Sequence, residues 1–198
     1  MTGLSGKRLY VALIHHPVID KNGETIASAV TNLDLHDIAR VCRTYGVKSY
    51  YVITPLKDQM VLVNRILDHW ATGVGGIYNP SRQQALKLVR VKATVDEMIG
   101  EIAEAEGIRP QTVATTAKRH AGSLSYRRLR EMLVDETPLV LAFGTAWGLS
   151  DRFMADADYI LDPLAGTGAY NHLSVRSAVS IIIDRILGGE ANDYEATI

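Results

Sequence analysis

Six short apolar runs, with single helical segments between most of them, restrict this chain to a narrow set of folds. The runs are residues 9–14, 50–54, 88–93, 112–116, 139–143 and 159–162. Apolar runs of this length, bounded by Gly, Pro or polar residues, suit buried strands. The stretches between them carry helical spacing. In the first, Leu35, Ile38, Ala39 and Cys42 share a face, Asp34 stands as the expected N-cap with Asp37 in the opening turn, and Gly46 ends the pattern. Residues 61–70 form the second, after which Gly73, Gly75 and Gly76 are expected to break the chain. Thr94 and Glu97 make a T-x-x-E capping box for a helix reaching Glu106, stopped by Gly107 and Pro110. Ser125 caps a basic helix over 126–134, and Ser150 a short turn of helix. Ser174 caps a last helix in which Val175, Ala178, Val179, Ile182, Ile183, Ile186 and Leu187 recur at i, i+3, i+4 and i+7. Ile181 widens that face, so this helix is predicted to be buried on more than one side. Strands joined by single helices pair in parallel. The predicted fold class is therefore α/β, with a mostly parallel six-stranded sheet and helices on both faces.

A chain of 198 residues suits a single domain, taken here as 1–198. No apolar run approaches the roughly 18 residues that would span a bilayer, and the N-terminus lacks the apolar stretch of a signal peptide. Cys42 is the only cysteine, which excludes an intramolecular disulfide and a cysteine zinc site. A cytoplasmic protein is expected. His15-His16 lacks metal-ligand spacing and a third ligand, so no metal is expected. The net charge of −1 argues against a general nucleic-acid coat. It leaves room for a local basic patch. Lys118, Arg119 and His120, followed by Arg127, Arg128 and Arg130, form one such cluster, read either as a solvated helix face or as an RNA-facing patch.

Open parallel sheets bind ligands beyond the carboxyl ends of their strands. Two strand ends are unusual. Residues 143–149 (Phe-Gly-Thr-Ala-Trp-Gly-Leu) carry two glycines, which permit a sharp turn and close ligand approach. Residues 162–174 form a long, mostly small and uncharged loop that runs into a helix N-terminus. No Gly-Lys-Ser/Thr occurs, and Gly166-x-Gly168 does not continue as a dinucleotide fingerprint. With no cation here for phosphates, a largely neutral ligand with one charged end fits better.

The segment from Gly144 to Leu149, then Ile160-Leu161-Asp162-Pro163-Leu164, a glycine-bearing loop, Asn171-His172-Leu173-Ser174-Val175 and a long apolar helix, resembles the C-terminal half of SPOUT (α/β-knot) methyltransferases. The likeness covers nearly the whole chain and is closest to a bacterial group of S-adenosylmethionine-dependent RNA methyltransferases. It implies a C-terminal trefoil knot, a homodimer formed through the knot that completes each site with residues of the second copy, and a bent S-adenosylmethionine held by three loops. Those loops assign the cofactor to Thr115 and Thr116; to Phe143, Gly144, Thr145, Gly148 and Leu149; and to Ile160, Leu161, Pro163, Leu164, Gly166, Asn171, Leu173 and Ser174. Arg40-Val41-Cys42-Arg43-Thr44-Tyr45-Gly46 resembles the R-x-A-x-x-F-G motif of the ribose-methylating branch, where the arginine activates the target hydroxyl.

Transfer from a sulfonium needs alignment of the acceptor and removal of its proton. Arg40, His172 and Tyr170 are the candidates for that role. Lys118, Arg119, Arg127 and Arg128 are the candidates for holding tRNA or rRNA. Two departures mark the chain. Ala146 stands where the ribose branch usually has glutamate, and Tyr170-Asn171-His172 where it has Ser-Leu-Asn. They leave the methylated atom open, and with it an alternative function, a non-catalytic knotted module for RNA binding or dimerisation. An ordinary doubly wound methyltransferase or oxidoreductase fits less well. Its glycine turn would follow the first strand, where this chain has His15-His16-Pro17.

Overall fold

The computed structural model describes residues 8–135, 137–168 and 170–188. Its main sheet has six strands, all parallel: β1 (Leu9–Ile14), β4 (Ser49–Ile53), β5 (Val89–Lys92), β6 (Gln111–Ala114), β7 (Leu139–Gly144) and β8 (Tyr159–Ile160). Their spatial order is β5-β4-β1-β7-β6-β8. Central β1 is wholly buried and runs in register with β7 from Leu9↔Leu139 to Ile14↔Gly144. Two more strands, β2 (Val18–Ile19) and β3 (Thr25–Ile26), form a small antiparallel hairpin. At two residues each they are too short to leave a period-2 signal, so the sequence does not announce them.

Alternate side chains of β1 feed two cores, as the period of a strand requires. Leu9, Val11 and Leu13 point to one face. There they meet α1 (Asn32–Thr44), α2 (Lys57–Ala71), α4 (Pro80–Leu86), α6 (Tyr126–Met132) and α8 (Val175–Leu187). Tyr10, Ala12 and Ile14 point to the other, against α5 (Val95–Glu106) and α7 (Asp151–Asp156). Helices thus cover both faces, as expected.

Thr94, Ser125, Ser150 and Ser174 cap their helices as read from sequence, each accepting a backbone N–H of the first turn. Asp34 does not cap α1. Thr31 does, accepting the Asp34 amide at 3.2 Å, and Asp34 turns inward instead. Gly75 and Gly76 do not break the chain either, but lie inside α3 (Val74–Tyr78). A Cβ on Gly76 would stand 2.5 Å from the Trp70 carbonyl, so the small residues let α3 fold back onto the end of α2. The last helix is buried along one stripe, Val179, Ile182, Ile183 and Ile186, whereas Ile181 is 36% exposed. The expectation of burial on several sides is corrected for this chain. Among the described residues no helix is long and apolar enough to cross a membrane.

Candidate functional site

A cavity of about 1060 Å³ opens beyond the carboxyl ends of β6, β7 and β8. Three loops bound it, each fixed by hydrogen bonds to a neighbouring backbone. After β6, Thr115 turns back on its neighbour, and both its amide and its hydroxyl donate to the Ala142 carbonyl, at 3.0 and 2.9 Å. After β7, the turn closes tightly on itself. A Cβ on Gly144 would lie 2.4 Å from the Leu149 nitrogen, so only glycine fits. Ala146 adopts φ 52° and Gly148 φ 117°, both left-handed. The hairpin grips this loop from outside: Trp147 N–H donates to the Ile19 carbonyl at 3.1 Å, and Ile19 N–H to the Gly148 carbonyl at 3.0 Å. After β8, the long loop is tied to the first, with Asn171 Nδ2 donating to the Ala117 carbonyl at 3.1 Å.

Of the residues expected at the cofactor, Thr115, Thr116, Phe143, Gly144, Thr145, Gly148, Leu149, Ile160, Leu164, Asn171, Leu173 and Ser174 line this cavity. Leu161, Pro163 and Gly166 lie outside its lining. Leu161 is consumed in a bridge to Leu124. His172 lines the cavity, and Tyr170, 79% exposed, stands edge-on to it with ring centroids 6.4 Å apart. Lys118 also lines it, whereas Arg119, Arg127 and Arg128 do not. Arg127 and Arg128 both reach Glu131, at 3.8 and 3.1 Å, so two exposed cations share one carboxylate.

Arg40 is not brought to His172 within this chain. It lines a second, separate groove formed by α1, α2 and α4. The helix pattern explains the placement: Leu35, Ile38, Ala39 and Cys42 face the core, and Arg40 falls on the opposite side with His36, one turn earlier.

The structure adds residues that sequence reasoning missed. Ser28, Thr31 and Asp34 enter the cavity from the segment leading into α1, and Arg176 from the first turn of α8. Arg176 Nη1 donates to Asp34 Oδ1 at 2.8 Å, and its Nε lies 3.4 Å from Asp37 Oδ2. Behind Ser28 sits His15, fully buried. The Thr145 hydroxyl donates to the Ile14 carbonyl at 3.1 Å, so in its 2.5 Å contact with Ser28 it accepts. Ser28 therefore spends its proton on Thr145, and His15 Nδ1, 3.0 Å away, is the donor to Ser28. This fixes the imidazole as the neutral Nδ1–H tautomer. Burial drives the His15 pKa down to about 4, against the opposing pull of Asp34. The result is a directed chain of donors, from imidazole through two hydroxyls, that holds the Thr145 turn beside the cavity. No motif in the Ala27-Ser28-Ala29 segment marks it. Among the described residues, no group of three or more His, Cys, Asp or Glu side chains converges in a way that could hold a metal ion.

Comparison with known proteins places this geometry. A family model described as SAM-dependent RNA methyltransferase matches residues 8–188. A tRNA (guanine-N(1)-)-methyltransferase of Oleidesulfovibrio alaskensis is 46% identical over 183 residues, which is 92% of this chain but 43% of that protein. The chain thus spans less than half the length of that relative. An uncharacterised protein of Aquifex aeolicus is 39% identical over 181 residues, covering 91% of this chain and 88% of its own. Among solved structures, the Aquifex aeolicus TrmH/SpoU tRNA modifying enzyme superposes with a TM-score of 0.56 over 93% of this chain and 76% of that one. At 19% identity this is a likeness of fold.

Proposed function

The chain belongs to the SAM-dependent RNA methyltransferase family, and on that footing we propose that it transfers the methyl group of S-adenosylmethionine to a nucleotide of tRNA or rRNA. The observation that carries the reading is the cavity at the ends of β6, β7 and β8. Its about 1060 Å³ slightly exceeds the roughly 300–1,000 Å³ of small-molecule sites, with space for a cofactor and an acceptor nucleotide together. Its floor is apolar (Phe143, Leu149, Ile160, Leu164) and suits an adenosine moiety. The glycine-built turn brings backbone to the ligand. The cofactor supplies an activated methyl on a positively charged sulfur, and the chain supplies position and a route for the acceptor's proton.

In this reading His172, with Tyr170 beside it, meets the acceptor at the cavity mouth. Lys118 holds a neighbouring phosphate, with Arg119, Arg127 and Arg128 forming the outer margin. Residues 1–198 act as a single domain whose C-terminal segment is threaded as a trefoil knot. Asn171 bonded to the Ala117 carbonyl, and α8 packed beneath β7, support that threading. A cytoplasmic homodimer completes the proposal. Ile181 and Leu173, 36% and 45% exposed, are the apolar surface a second copy would cover. In the dimer, Arg40 acts on an acceptor across the subunit boundary.

Calorimetric titration with S-adenosylmethionine, with mass spectrometry of tRNA and rRNA from a deletion strain, tests the reading. Cofactor binding and one missing methylated nucleotide are expected. Binding of RNA without cofactor would favour the non-catalytic module, toward which Ala146 points.

A further inference from the structure

The groove that contains Arg40 has a character of its own. It measures about 590 Å³ and is lined by Arg40, Arg65, Arg82, His36, His69 and Trp70. Its organiser is Trp70. The Arg82 guanidinium carbon sits 4.7 Å over the indole ring, while His36 and His69 meet the ring edge-on at 5.5 and 5.4 Å. Stacking of this kind holds an arginine in place while leaving its charge uncompensated. Among the described residues no carboxylate forms an ion pair with Arg40, Arg65 or Arg82. The carboxylate at the rim, Asp37, is engaged by Arg176. The positive field is felt locally. His36 titrates below the ordinary histidine range, first because of burial and then because Arg82 and Arg40 oppose its protonation, against the pull of Asp37. Three uncompensated guanidinium groups converging on one concavity contrast with Arg127 and Arg128, which share Glu131.

We propose that the α1–α2–α4 groove, through Arg65 and the Trp70-stacked Arg82, binds the phosphodiester backbone of the RNA substrate. This rests on the RNA methyltransferase reading and adds to it the surface on which the RNA lies. Adjacency to the cavity supports the assignment. The opening turns of α1 divide the two: Thr31 and Asp34 face the cavity, whereas Asn32, Leu33, His36 and Asp37 face the groove. An RNA strand seated on the arginines passes directly over this divide, so the groove fixes the register in which a nucleotide enters. Guanidinium groups suit this task because their planar donors match phosphate oxygens.

The test is anisotropy of labelled bulk bacterial tRNA with the full chain, from about 50 to 300 mM KCl. The Arg65 side chain makes no hydrogen bond or ion pair among the described residues, so Arg65→Gln leaves the fold intact. That variant is expected to bind tRNA about fivefold to tenfold more weakly, with a log–log salt slope shallower by about one, and to bind S-adenosylmethionine as the parent does. Arg65→Lys is expected to keep the parent's slope. Parent-like affinity and slope in Arg65→Gln would overturn the groove assignment and leave the methyltransferase reading untouched. A parent that shows no salt-dependent affinity for tRNA or rRNA would overturn the RNA reading and the groove with it. Polyglutamate competing as well as tRNA would assign the groove to an acidic peptide, and a changed oligomeric state of Arg65→Gln in light scattering would make it a contact between copies; either overturns the proposal.

Discussion

Arg176, in the first turn of α8, holds Asp34 of α1 at 2.8 Å in the wall of the strand-end cavity, and its Nε, 3.4 Å from Asp37, reaches the edge of the basic groove. The Asp34 side chain is only 6% exposed. Removing its partner leaves a carboxylate out of water without compensation. Arg176→Ala is expected to destabilise the protein by about 3 kcal/mol, read as a lower urea midpoint at unchanged m-value. Arg176→Lys should recover part of the loss, since one of the two contacts survives a single ammonium. Parent-like stability in the alanine variant would show that Asp34 finds another partner.

His15 makes stability depend on pH. Its folded pKa of about 4 lies below the ordinary 6.5 because burial disfavours the charged ring. The unfolded chain therefore binds a proton first as pH falls. The stabilisation is fully present above about pH 6.5 and is lost progressively toward pH 4, by about 3 kcal/mol in all. His15→Gln, which keeps a donor but cannot titrate, should flatten the profile in this window. Urea midpoints measured at half-unit steps from pH 7.5 to 4.5 provide the comparison, and equal slopes for parent and variant would refute the assignment.

Gly144 and Gly166 separate what the sequence presents as equivalent. A methyl group at Gly144 meets the backbone of Gly148 and Leu149 at 2.7 and 2.4 Å, so Gly144→Ala should cost about 1–3 kcal/mol and weaken cofactor binding together. At Gly166 the nearest atom is the Tyr170 carbonyl oxygen, 3.6 Å away. Gly166→Ala should stay within about 0.5 kcal/mol of the parent and keep its cofactor affinity. Thermal melts with and without S-adenosylmethionine decide both.

The chain's two tryptophans divide between the two concavities, Trp147 in the cavity and Trp70 in the groove. In Trp70→Phe, S-adenosylmethionine should change the emission of Trp147, which is 67% exposed. In Trp147→Phe, tRNA should change the emission of Trp70, and the cofactor should not. A cofactor response confined to Trp70 would place its site in the groove.

Most of the sheet was legible because its signals are local. The buried run of β1 ended where the sequence placed it, and α5 and α8 were bounded by Thr94, Gly107 and Ser174, residues whose side chains or backbone act on adjacent positions. The helix over Pro80–Leu86 was hidden because the glycines before it read as punctuation, whereas they serve close packing against Trp70. The cap of α1 is ambiguous in sequence because Thr31 and Asp34 both suit an N-cap, and it is the contact with Arg176 of α8 that holds Asp34 inward. The site was half legible for the same reason. Its glycine turn is local, but His15, Ser28 and Thr145 meet only because β1 lies beside β7, and Arg176 meets Asp34 only because α1 lies beside α8. No spacing in the sequence encodes such a meeting.

The placement of β1 between β4 and β7 has a consequence for biosynthesis. Of the six strands of this sheet the earliest made takes a central place, and one of its edges pairs with a strand made much later, Leu9 with Leu139 through Ile14 with Gly144. At ordinary translation rates that apolar edge stays open for on the order of ten seconds, a long interval for a nascent chain to resist self-association. The closure that ends this exposure is also the one that sets Gly144 against Ile14. A ribosome-bound chain interrupted before β7 therefore lacks the glycine turn of the proposed cofactor cavity, which arrives only with the completed sheet.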